Sequence, residues 1–149
     1  MLTPGVSALT LQHRLGGYRE YAAPPELAPA CEAVWLHRTP SGWHDGMHRV
    51  LPDPAMSIVF ACRRRDDGRP SDAHTLIVGP KTRPHVFALE PGREMVAVKI
   101  KLEWTISLVG LRATDHEDTD IDLHEVDAAL ADAIEASLSK TLTIDAAVP

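Results

Sequence analysis

From Ala33 to Leu102 short apolar runs alternate with proline- and glycine-rich breaks, at a spacing that suits strands joined by turns. Val34-Trp35-Leu36 marks a strand over residues 33–38, ended by Pro40-Ser41-Gly42. A second over 47–51 is stopped by Pro52-Asp53-Pro54, whose prolines lack a ladder donor. A third over 56–62 runs into a polar stretch containing Asp66-Asp67-Gly68, a turn signal because glycine accepts positive φ. Strands over 75–78 and 85–89 lie on either side of Gly79-Pro80. The clearest period of two falls in 95–102, where Val96, Val98, Ile100 and Leu102 alternate with Lys99 and Lys101. Strand-turn repetition without intervening helices excludes a parallel βαβ arrangement, and a mainly β fold built as an antiparallel β-barrel of jelly-roll type is the economical solution.

Helical signals flank this block. Pro24-Pro25 opens a short helical turn with Glu26 near its positive end, closing near Cys31. Residues 1–23 hold no stable period and are broken by Gly16-Gly17, which reads as an N-terminal arm or edge segment. Beyond the strands, Trp104, Leu108 and Leu111 recur on one side. Leu130, Ile134 and Leu138 then repeat at helical spacing over 126–138, with Asp127 as the cap. That stripe is buried either on the barrel or against a second copy, and the second option makes it a homodimer contact. The organisation expected is an arm at 1–23, a barrel at 24–102 and a C-terminal helical segment at 103–149.

At 149 residues the chain suits a single domain able to bury its own core. A net charge of -6 withholds the basic surplus by which proteins bind phosphates unaided. Arg63, Arg64 and Arg65 are followed at once by Asp66 and Asp67, the composition of a solvated hairpin tip. The two cysteines, Cys31 and Cys62, sit in apolar runs and read as buried free thiols. The acidic stretch 115–122 reads as a loop and lacks the alternating ligands and central glycine of a calcium site. Residues 1–15 carry no charged leader before an apolar core, and no run is long enough to span a bilayer, so a cytoplasmic protein with no membrane partner is expected.

The ordered set Tyr18-Arg-Glu-Tyr21, Pro24-Pro-Glu-Leu27, Trp35, Arg49-Val-Leu-Pro-Asp53, Ile58-Val-Phe60, Val78-Gly-Pro80 and Thr82 resembles the N-terminal sensor domain of one branch of AraC/XylS-type transcriptional regulators. The similarity covers most of residues 18–130. It implies a cupin-like β-barrel followed by helices, a small-molecule effector, a homodimer, and DNA contact only through a helix-turn-helix domain placed C-terminal to it. The chain to Pro149 leaves no room for that domain. It also departs from the pattern where Pro54-Ala55 follows Asp53, and where Lys99-Ile-Lys-Leu-Glu-Trp104 follows the last strand.

The candidate ligand-binding residues are Trp35, Arg49, Asp53, Lys99 and Trp104, with Lys101 beside them. A few polar groups within apolar walls orient a small ligand. Against that stands ordinary exposure for the lysines and core packing for the tryptophans. No cofactor, catalytic residue or metal is expected. Ser57 and Cys62 lie in strands without a nucleophile elbow, and no glycine-rich phosphate loop is present. One alternative is a stand-alone cupin-like metalloenzyme using His44, His48 and His85 or His74, with His37 nearby, although His44-x-x-x-His48 does not reproduce the cupin His-x-His signature. The other is a structural dimerisation domain with a filled barrel.

Overall fold

The structure is a computed structural model that describes residues 17–40, 42, 47–88 and 90–140. In chain order the elements are β1 (Arg19–Ala22), β2 (Cys31–Arg38), β3 (Met47–Val50), β4 (Met56–Arg64), β5 (Pro70–Val78), β6 (His85–Ala88), β7 (Arg93–Ile100), α1 (Thr105–Val109), β8 (Asp120–Asp122) and α2 (Leu123–Ser139). The protein is mainly β, and every strand pair is antiparallel. A six-stranded sheet runs β1-β2-β7-β4-β5-β8, and β3 pairs with β6 as a separate two-stranded sheet. The barrel expected from the sequence is not closed among the described residues: the large sheet ends in two edges, β1 and β8. Prolines at 52, 54 and 84 flank β3 and β6, which keeps both at four residues and leaves them paired only with each other, extended by an isolated bridge between Asp53 and Lys81.

The central strands of the large sheet carry buried residues on both faces because both faces are covered. On β4, Met56, Phe60 and Cys62 are buried on one side, while Ser57, Val59 and Ala61 are buried on the other. The first side carries two clusters, one centred on Met56, Ile77 and Ile100 and the other on Val34, Leu36, Phe60 and Val96. Helix α2 closes this side. Its Leu130 packs on the first cluster, Leu138 on the second, and Ile134 on both. Thr75 Oγ1 donates a hydrogen bond of 3.1 Å to Glu135 of the same helix. Near the edge of this face the buried Glu94 accepts from Arg38 at 2.8 Å and Arg64 at 2.7 Å, the pairing a buried carboxylate requires.

Turn chemistry follows local sequence. The β4–β5 hairpin turns at Gly68, which adopts φ +80, with Arg65 N–H donating to Arg69 O at 2.9 Å. Pro24 O accepts from Ala28 N–H at 2.8 Å, and Leu27 O from Cys31 N–H at 2.8 Å, so the segment after Pro24-Pro25 is helical turn as expected. Helix α2 begins earlier than residue 126. Asp122 caps it by accepting from His124 N–H, and Asp127 breaks the helix at φ -150 and ψ 87 while its carboxylate accepts from Leu130 N–H at 2.9 Å. Asp127 is thus the cap of the second, apolar-striped part. Strands β1 and β8 lie in the stretches read as arm and loop, so the large sheet crosses both expected segment boundaries. Both strands are edges too short to show a period. Cys31 and Cys62 are buried and free, and among the described residues no helix is long and apolar enough to cross a membrane.

The Gly-Pro turn after β5 owes its glycine to a close approach and not to φ. A Cβ on Gly79 would lie 1.9 Å from the carbonyl oxygen of His116, where the acidic segment hydrogen-bonds back through Gly79 N–H to Thr119 O at 2.9 Å. Gly79→Ala is therefore expected to lower unfolding free energy by about 1–3 kcal/mol, the usual cost of forcing backbone apart in a packed site. Urea denaturation of both proteins measures it, and an unchanged midpoint would mean that this backbone contact is not formed in solution.

Candidate functional site

The face of the large sheet opposite α2 and the inner face of the β3–β6 sheet enclose a cavity of about 630 Å³. Strand alternation builds its floor. Ladder register sets His37, Met95, Ala61 and His74 in one row across β2, β7, β4 and β5. Trp35, Val59 and Leu76 lie in the next row, and Lys99 and Ser57 in a third. The small sheet supplies the roof through the cross-strand pairs His48 with Phe87 and Val50 with His85.

The two sheets meet through aromatic rings. His37 and His48 have ring centroids 5.2 Å apart, and His48 and Phe87 are also 5.2 Å apart. His37 is 2 % exposed, Thr39 2 % and His48 6 %. Both nitrogens of His37, the hydroxyl of Thr39 and Nδ1 of His48 find no hydrogen-bond partner among the described residues. Burial lowers the pKa of His37 to about 4, with the neighbouring His48 adding to the effect, and burial also lowers that of His48. Both imidazoles are accordingly neutral at pH 7, each with one ring N–H to donate and one nitrogen to accept. Buried polar groups without partners cost stability, and natural proteins keep them mainly where a ligand or water completes them.

The charged groups of the cavity behave differently. Lys99 Nζ lies 2.8 Å from Asp53 and 3.4 Å from Glu20. Burial pulls the Lys99 pKa down, but the hydrogen bond and charge of Asp53, aided by Glu20, outweigh it and leave it raised. Tyr18 donates to Glu20 at 2.7 Å and stacks on Trp35 at 5.9 Å; burial and the Glu20 hydrogen bond push its phenol pKa up. Asp53 is fixed by accepting from Ala55 N–H at 2.9 Å and by the backbone bridge to Lys81. Lys81 Nζ meets Asp120 at 2.8 Å, and Arg93 meets Glu90 at 3.2 Å and His74 at 3.1 Å.

Of the residues expected to bind ligand, Trp35, Asp53 and Lys99 line this cavity. Arg49 does not: it alternates with the inward His48 and Val50 and is exposed on the outer face of β3. Trp104 sits in a 3₁₀ turn after β7, 38 % exposed and away from the cavity, because the chain leaves the sheet at Ile100. Lys101 Nζ donates to Ala28 O at 2.7 Å. Among the alternative metal ligands, His48, His74 and His85 line the cavity while His44 lies outside the described residues. Among the described residues no three histidines, cysteines or carboxylates are grouped to hold a metal ion. Leu130, Ile134 and Leu138 lie against the chain's own sheet, the first of the two options open to that stripe. The site also uses Thr39, Phe87 and Met95, which no motif marked, Tyr18, quoted only as part of the resemblance, and His37, read only as a neighbour of the metal candidates. The period of two running from Trp35 through His37 to Thr39 was the available signal.

Residues 19–122 match a family described as "Domain of unknown function (DUF6597)". The chain belongs to the DUF6597 family. The DUF6597 match begins at the first residue of β1 and ends at the last of β8, so it covers both sheets and every cavity residue named above except Tyr18, and it leaves α2 outside. No curated protein and no solved structure matches the chain significantly.

Neutral burial of His37 has a thermodynamic signature. Its folded pKa lies below the unfolded value of 6.5, so between those values the unfolded chain binds more protons and stability falls as pH drops from about 6.5 towards 4. His124, whose pKa is raised by its hydrogen bonds to Asp132 and Asp122 despite some opposing desolvation, contributes the opposite slope. Comparison with His37→Phe isolates the His37 part. In the absence of added ligand, His37→Phe is expected to be more stable than the native chain at pH 7 by about 1–3 kcal/mol, the cost of an unsatisfied buried polar group, and to lose less stability on acidification. Urea midpoints at pH 7 and pH 4.5 check both statements.

Proposed function

We propose that this DUF6597 chain is a ligand-sensing domain of an AraC/XylS-type regulator, with a cupin-like arrangement of its two sheets and its effector bound between them. One observation carries the proposal: a cavity of about 630 Å³ whose buried His37, Thr39 and His48 have polar atoms without partners among the described residues. That volume is in the range of small-molecule sites, and mostly apolar walls with a few convergent polar groups are their usual form. The chain is on this account a binding module and not an enzyme. Sensing, more than dimerisation, is the role the geometry favours, since Leu130, Ile134 and Leu138 are engaged by the chain's own sheet.

A route for the signal accompanies the cavity. The loop between β5 and β6 is tied to β8 by Lys81 and Asp120, and Asp122 at the end of β8 caps α2. A ligand that prefers one placement of the small sheet over another biases α2 through this tie, by no more than its differential affinity for the two placements. A helix-turn-helix domain would be the receiver.

Thermal unfolding with a panel of small metabolites tests the proposal. A compound present at about 100 times its Kd is expected to raise Tm by about 5–10 °C. Ala61→Leu, which pushes a larger side chain from the floor into the cavity, is expected to remain folded by circular dichroism and to abolish that rise. A compound that stabilises both proteins equally would place its site elsewhere, and a panel without any response would remove the support for sensing.

A further inference from the structure

Resting on the sensing role above, we propose that the ligand is an uncharged molecule with a flat apolar body and a hydroxyl or carbonyl head that hydrogen-bonds to His37 and Thr39. The charges lining the cavity cancel in pairs: Lys99 with Asp53 at 2.8 Å, Lys81 with Asp120 at 2.8 Å, and Arg93 with Glu90 at 3.2 Å, all six residues being part of the wall. A charged ligand must either compete with one of these pairs, in which the cations are 10–23 % exposed and the carboxylates 33–49 % exposed, or enter without a counter-charge, which is unfavourable for a group leaving water. The polar groups left over are of another kind. His37 lies against His48, which lies beside Phe87, Thr39 follows His37 by two residues on the same face, and each of the three presents a neutral donor or acceptor. They match a hydroxyl or carbonyl, which satisfies such groups without bringing a charge into a low-dielectric site. Beside them runs an apolar, partly aromatic stretch of wall, with Trp35, Val59, Leu76 and Met95 on the floor and Phe87 above, while Ser57, His74 and His85 are further polar lining groups. That surface suits a flat ring system, which stacks or meets edge-to-face with aromatic side chains.

Titration calorimetry of the full chain at pH 7.5 with 2-naphthol, 2-naphthoate and 2-naphthylmethylammonium tests this, because the three share one bicyclic body and differ in the charge of the head. The expected result is binding of 2-naphthol, with both charged analogues at least about 10-fold weaker. His37→Phe and Thr39→Val are each expected to weaken 2-naphthol by about 3- to 10-fold, the value of one neutral hydrogen bond. Two separate substitutions keep the test informative should one of them disturb folding. A charged analogue that binds as tightly as 2-naphthol, or tighter, overturns the ligand class while leaving a sensing cavity in place. Unchanged 2-naphthol affinity in both variants overturns the assignment of the head to His37 and Thr39. Binding of none of the three to the folded protein overturns the ligand class, while the sensing role stands or falls with the metabolite panel.

Discussion

Strands β2, β4, β5 and β7 carry side chains that need burial on both faces, and the rest of the molecule is arranged to supply two covers. A sheet hydrophobic on one side needs only one packing partner, and the other side can face water. Here Phe60, Cys62 and Ile77 point one way while Val59 and Ala61 point the other, and all are buried. Helix α2 covers the first face with Leu123 and Ala131 buried and the partly buried stripe Leu130, Ile134 and Leu138 packed against it. The second face receives a two-stranded sheet of four-residue strands, too small to fill the space above it. The cavity is the consequence of that mismatch, since a close-packed interior would otherwise leave few voids larger than water.

Chemistry within the cavity separates into satisfied charges and unsatisfied neutral groups. Lys99, Lys81 and Arg93 each have a carboxylate at hydrogen-bonding distance, so the ionic groups serve mainly to anchor the loops around β3 and β6 to the large sheet. His37, Thr39 and His48 carry the opposite burden. Their burial disfavours protonation of the imidazoles and leaves donors and acceptors without partners among the described residues, which lowers stability. These groups lie where His37 of the large sheet meets His48 of the small one, with Phe87 beside His48.

Much of the fold was legible in the residues, because the decisive signals are local. Glycine and proline breaks located the turns, and period-two or continuous apolar runs located β2, β3, β4, β6 and β7 to within two residues and the second half of β5, whose residues 70–74 fell outside the expected strand. Spacing of Leu130, Ile134 and Leu138, with Asp127 as cap, located the main part of α2. The misses have the same origin. Strand β8 has one apolar residue among acids, and β1 has four residues on an edge, so neither is long enough to express a period. The closed barrel was an inference from strand count, and short strands bounded by Pro52, Pro54 and Pro84 did not supply the pairing needed to close it.

The candidate site divides along a similar line. Trp35, Asp53 and Lys99 were legible because a ring or charge beside a core face is noticeable in one strand at a time. Arg49 and Trp104 were misplaced because only the direction of β3 and the exit of the chain after β7 determine where they point. The sequence by itself determined most of the strands from β2 to β7, their turns and the apolar stripe of the helix, since all of these follow from neighbours along the chain. Tertiary structure alone decided that His37 meets His48, that Asp53 meets Lys99, and that a cavity remains between them. Those contacts join separate sheets, and the way two sheets stack depends on the volume and twist of whole layers, which no local pattern of residues records.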